Sequence, residues 1–133
     1  MLDEALRKAI SDIPNCVAMG AVDLTSGTLL AVQSDEERSQ EMLNVMTSTV
    51  TELFEAPLLQ AFSEIYSPHS DEGATAGTQF TELLLLNNYH NYLLLRGRKR
   101  RQLAVIVITK KDTPVGLLMM KALGAMPDIE DSV

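Results

Sequence analysis

Apolar residues at Leu2, Ala5, Leu6, Ala9, Ile10 and Ile13 recur at the three-and-four spacing of one helix face, which predicts a helix over about residues 2–12. Asp3 and Glu4 in its first turn suit the positive end of the helix dipole, and Pro14 closes it. The period then changes. Asn15 to Asp23 is almost continuously apolar, as in a strand covered on both faces. Along it Cys16, Ala18 and Gly20 leave one face small, so a helix can pack close there. Leu24-Thr25-Ser26-Gly27 supplies a hairpin turn with glycine where a positive φ is needed, and Thr28 to Gln33 is the return strand.

Helical spacing returns at Met42, Leu43, Val45, Met46, Val50, Leu53 and Phe54, giving a second helix over about 36–55 with Ser34 or Asp35 as its cap. Its apolar residues lie on more than one flank, wider than one sheet requires, so it serves either the core alone or the core and a partner. Pro57 interrupts it, while Leu58, Leu59, Phe62, Ile65 and Tyr66 continue the period as a kinked extension or a separate short helix. Ser67 to Thr78 has no period and reads as a mobile loop. Three strands follow, over Gln79–Asn87, His90–Arg96 and Gln102–Thr109, the last rich in β-branched residues and so central. Asp112 or Thr113 would cap a final helix with Pro114 near its start, a stripe at Val115, Leu118, Met119, Ala122 and Leu123, and a C-cap at Gly124. The residues from Met126 to Val133 read as a frayed acidic end. Short connections between consecutive strands imply an antiparallel sheet, and strands this apolar need helices on both faces. The class is α+β, in the order α-β-β-α-(insert)-β-β-β-α.

Composition adds limits. A chain of 133 residues with 46% apolar and 22% charged residues is one ordinary domain. No apolar run approaches the roughly 20 residues of a membrane span. The acidic opening Met1-Leu2-Asp3-Glu4 does not read as a signal peptide, so a cytoplasmic location is the expectation. The net charge of −7 disfavours nucleic acid or anionic lipid as a general partner. The charges are also segregated. Seven of the eleven Lys and Arg lie between Arg96 and Lys111, and nine of the eighteen Asp and Glu lie between Asp35 and Glu72.

Candidate chemistry is sparse. Phosphate-loop, zinc-protease and nucleophile-elbow spacings are absent, so no catalytic residue and no cofactor is expected. The single Cys16 sits in an apolar strand, where a buried structural thiol outweighs a nucleophile. His69 and His90 have no partner at ligand spacing, so no metal is expected. The one local extreme is the run Arg96, Arg98, Lys99, Arg100 and Arg101. It serves either as a basic patch for an acidic protein surface or as a solvated turn that blunts nearby strand edges. Gln79 to Leu86 reads as an edge strand protected only by Glu82, and an unprotected edge invites pairing.

The succession of the first helix, Ile13-Pro14-Asn15-Cys16-Val17-Ala18-Met19-Gly20-Ala21-Val22-Asp23 and a Ser26-Gly27 turn resembles the opening of the roadblock / dynein light chain family. Leu103-Ala104-Val105-Ile106-Val107 followed by Val115-Gly116-Leu117 resembles that family's last strand and entry into its final helix. The resemblance spans a domain of residues 1–126, with 127–133 as an acidic tail. Residues 56–78 depart from the family as an insert. It implies a profilin-like three-layer α/β/α sandwich on a five-stranded antiparallel sheet. It also implies a homodimer or heterodimer joined through the third strand and the second helix, and a non-catalytic role as a scaffold or regulator of small Ras-like GTPases. An interface of that kind would draw on Met42, Met46, Val50, Phe80, Glu82 and Leu84. The alternative is a small-ligand sensor or enzyme on a related profilin-like fold, with Tyr89, His90 and Tyr92 converging on a pocket.

Overall fold

The computed structural model describes residues 1–37, 39–67 and 77–133. Within them the elements are α1 (Leu2–Asp12), β1 (Cys16–Asp23), β2 (Thr28–Ser34), α2 (Gln40–Phe54), α3 (Pro57–Tyr66), β3 (Glu82–Leu86), β4 (His90–Arg96), β5 (Leu103–Lys110) and α4 (Val115–Asp131). The strands form one antiparallel sheet in the order β2-β1-β5-β4-β3. The two most apolar strands, β1 and β5, therefore lie inside the sheet, and β2 and β3 are its edges.

Three layers follow from the alternation of side chains across the strands. Met19, Ala21, Leu93, Leu95, Leu103, Val105 and Val107 form one face and pack under α1 and α4 through Leu6, Ala9, Leu118, Ala122 and Ile129. Val22, Leu94, Ala104 and Ile106 form the other and pack under α2 through Met46, Val50 and Phe54. The small face of β1 does what its sequence suggested. A Cβ at Gly20 would stand 3.2 Å from the Met46 sulfur, so α2 rests directly on the strand. Gly27 turns the β1–β2 hairpin at φ 69°.

Several boundaries differ from the sequence reading, each for a local reason. Ser39 caps α2, its Oγ accepting the Met42 amide at 3.2 Å. Ser34, expected there, instead ends β2 by donating to the Val17 carbonyl at 3.3 Å. Pro57 starts a separate helix, α3, at a position where its missing N–H costs nothing. The span read as a loop, Ser67 to Thr78, lies mostly outside the described residues. β3 begins at Glu82 rather than Gln79, because side chains of β4 and the following turn hold the backbone of Phe80 and the side chain of Gln79. Neither Asp112 nor Thr113 caps α4. Pro114 takes that position, while the Thr113 hydroxyl donates to the Pro14 carbonyl at 2.8 Å and Asp112 accepts from Asn15 at 3.2 Å. Gly124 does not end the helix, and the residues beyond it are not frayed. α4 runs through Gly124 and Pro127 to Asp131, because Met126, Ile129 and Glu130 are buried beyond the glycine.

Candidate interaction surface

Arg96 explains how the edge of the sheet is set. The sequence groups it with a solvent-facing basic patch, but it is only 4% exposed. Its guanidinium donates to three carbonyls: Phe54 at 3.2 Å, Phe80 at 3.2 Å and Arg101 at 3.1 Å. It also lies 5.0 Å over the Phe54 ring. Burial pulls its pKa below the ordinary value, with nearby Glu55 opposing and Arg101 reinforcing the shift. An arginine still keeps its charge in such a setting. The fork therefore ties the end of α2, the approach to β3 and the β4–β5 turn to one point, which sequence alone could not separate from its basic neighbours.

The rest of that turn is organised by Glu130, a residue the sequence assigns to a frayed tail. The residue is 3% exposed, and its carboxylate accepts the backbone amides of Arg98 at 3.0 Å, Lys99 at 2.8 Å and Arg100 at 3.1 Å. Successive amides aimed at one anion form the kind of nest that favours a carboxylate. Burial pushes the Glu130 pKa up, but the three amide hydrogen bonds and the Lys99 charge outweigh it, so the group titrates below its usual range. The cations of the turn also have partners. Arg98 lies 3.8 Å from Glu82, Lys99 3.7 Å from Asp131, Arg100 Nε donates to the Glu130 carbonyl at 2.8 Å, and Arg101 donates to Gln79 at 2.6 Å. The run is a folded turn more than a free patch.

Of the residues expected at an interface, Met42 and Leu84 are exposed, Phe80 and Glu82 are half-buried, and Met46 and Val50 lie in the core under α2. Among the described residues no strand pairs with the outer side of β3, and Leu84, Leu85 and Leu86 on it are exposed. Exposed apolar side chains also line α2 at Met42 and Val45, and α3 at Leu58, Phe62, Ile65 and Tyr66. The α3 cluster carried no sequence signal beyond its helical period.

The residues considered for chemistry do not assemble. Burial pushes the Cys16 thiol up to about 11, an inert state at neutral pH. Tyr89 is exposed, and the His90 and Tyr92 rings sit 6.1 Å apart at the start of β4. An open cleft of about 480 Å³ lies elsewhere, between α2 and the β1–β2 hairpin, lined by Leu29, Leu43, Asn44 and Thr47 among others. Among the described residues no three His, Cys, Asp or Glu side chains gather where they could hold a metal ion. Nor is any described helix long and apolar enough to cross a membrane.

The three layers, the strand order and the open third strand define the roadblock/LC7 fold. The chain superposes on Myxococcus xanthus MglB with a TM-score of 0.74 at 13% identity, covering 99% of this chain and 96% of that one. The gliding protein MglB of Thermus thermophilus gives 0.73 at 14% identity over 96% and 84% of the two chains. A roadblock/LC7 domain from Streptomyces avermitilis gives 0.74 at 8% identity over 98% and 95%. No family model matches the sequence, and no curated protein matches it at a significant level. The likeness is one of fold.

Proposed function

We propose that this chain is a non-catalytic interaction module that associates with a second copy through β3 and α2, and that it scaffolds or regulates a small Ras-like GTPase. The observation that carries the reading is the open β3 edge, whose unpaired backbone groups and three exposed leucines favour strand addition. The MglB and MglC structures that share the fold support it, as does the description of one of them as a tetrameric arrangement. The raised pKa of the partly buried Cys16 and the exposed position of Tyr89 favour binding over catalysis.

Sedimentation velocity at tens of micromolar tests the association. A dimer that Leu84→Lys dissociates is expected, and a monomer refutes the edge argument. Pull-down from native extract with GTP- and GDP-loaded conditions tests the partner. Nucleotide-dependent recovery of a GTPase is expected, and recovery of none refutes that half.

A further inference from the structure

The hydrogen bonds that close the β3–β4 hairpin fix which backbone groups of β3 point away from the sheet. The Arg96 amide donates to the Thr81 carbonyl at 2.8 Å, and the Asn87 amide donates to the His90 carbonyl at 3.2 Å. Thr81 and Asn87 therefore turn their backbone toward β4. The register between them is unbroken, so Leu83 and Leu85 do the same. The N–H and C=O groups of Glu82, Leu84 and Leu86 point outward, where among the described residues no strand meets them. This series stops at both ends. Phe80, the next residue of that parity, has its carbonyl on Arg96 Nε at 3.2 Å. Beyond Leu86 the chain turns at Asn87, whose Oδ1 accepts the amides of Tyr89 and His90 at 2.9 Å each. The edge thus offers three donors and three acceptors, placed evenly about Leu84.

Such an edge is its own complement in one register. Antiparallel pairing of β3 with β3 of a second copy requires a two-fold axis normal to the sheet, which leaves both α2 layers on one side. With the axis at Leu84, Leu84 pairs with Leu84 of the second copy and Glu82 pairs with Leu86 of the second copy. Every outward group of both edges is then bonded. Moving the axis by one residue, to Leu83 or to Leu85, matches an outward group to Phe80, whose carbonyl is taken, or to Asn88 in the turn. The side chains agree. In the Leu84 register Leu83, which packs against the α2-side core, stands opposite the exposed Leu85 of the second copy, and the reverse. Those are non-hydrogen-bonded positions, where side chains approach most closely. The other two axes set Leu85 opposite Thr81, or Leu83 opposite Asn87, and so lose a leucine pair. Glu82 comes to lie opposite a leucine, but Arg98 of its own chain meets its carboxylate at 3.8 Å, and the two Glu82 residues stand at opposite ends of the strand pair.

We propose that two copies of this chain join their β3 strands in a single register, with the two-fold axis at Leu84, where every outward backbone group of the edge finds a partner. The inference rests on the β3 association proposed above, which sedimentation tests separately. In a Cys16→Ala background, Leu83→Cys and Leu85→Cys proteins are oxidised alone, and again after mixing and subunit exchange. Opposed residues come within about 4.5–5.5 Å between Cα atoms, inside disulfide reach, whereas diagonal ones stand about 7–8 Å apart. The expected result is a disulfide-linked dimer in the mixture, several-fold above that in either protein alone. Leu84→Cys, a change at an exposed residue, should link to itself with no partner variant. Leu83→Cys or Leu85→Cys linking to itself as readily as the mixture does moves the axis and overturns the register, while β3 pairing stands. A dimer by sedimentation that links in none of these arms overturns β3 pairing as well. A protein that stays monomeric overturns both.

Discussion

Replacing Glu130 isolates the contact that fixes the β4–β5 turn. Glu130→Ala removes an acceptor from three backbone amides, and hydrogen bonds to a charged group contribute about 1.5–3 kcal/mol each. The three do not add in full, because Arg98, Lys99 and Arg100 are exposed and water can reach the freed amides. A loss of about 2–3 kcal/mol is expected, a large share of the roughly 5–15 kcal/mol that holds a domain together. The assay is urea unfolding followed by far-UV circular dichroism, since the chain has no Trp. The midpoint should fall by about 1–2 M at an ordinary slope for a chain of this size. Glu130→Gln keeps a neutral acceptor and should lose about half as much. The sign of the pH dependence follows from the depressed native pKa. The gap between wild type and Glu130→Gln should be full above the ordinary 4.5 and should shrink as pH falls through the lower native value. A Glu130→Ala midpoint indistinguishable from wild type at pH 7, or a gap that widens on acidification, would refute the reasoning.

Three further outcomes follow from the structure. Arg96→Leu leaves the carbonyls of Phe54, Phe80 and Arg101 without their donor and should cost about 2–4 kcal/mol by urea unfolding, with hydrogen exchange rising first at β3; unchanged protection there would contradict the role given to the guanidinium. Gly20→Val drives a branched side chain into the Met46 sulfur and should cost about 1–3 kcal/mol, whereas Gly20→Ala should be milder because that sulfur ends a flexible chain; equal effects would place α2 further from β1 than it is. Cys16, with its thiol pushed up to about 11, should react with a thiol reagent at neutral pH far more slowly than the same residue in urea, and equal rates would show that the thiol is not buried in solution.

Which parts of this molecule could be read from the sequence follows from how local each signal is. Gly20 and Ala18 disclosed a helix resting on β1, because smallness on one strand face has meaning without knowing the partner. The run Val105 to Ile108 disclosed an interior strand for the same reason. Gly124 misled because a glycine in a helical pattern is a stop signal only when nothing beyond it is buried. Ile129 and Glu130 are buried, by contacts formed more than twenty residues away in sequence. Arg96 was hidden among its neighbours, since only the folded chain shows which member of a basic run turns inward.

The α3 helix is the sharper case. Its period announced an amphipathic helix, and that much was right. A period, however, states that two faces differ and not which of them meets the chain. Burying Leu58, Phe62, Ile65 and Tyr66 is favourable by about 1.5–3 kcal/mol for each large side chain, so a folded protomer that leaves all four outside forgoes a sum comparable to its whole stability. The protomer holds Gln60 and Ser63 on Thr78, two hydrogen bonds whose net worth of about 0.5–1.5 kcal/mol each is well below that sum. The cations nearest that end of the sheet are the protomer's own: Arg96 faces Glu55, and Arg101 donates to Gln79, next to the Thr78 that holds α3. Folding thus undoes the segregation of charge along the chain, by bringing the basic β4–β5 turn onto the acidic stretch that leads into β3.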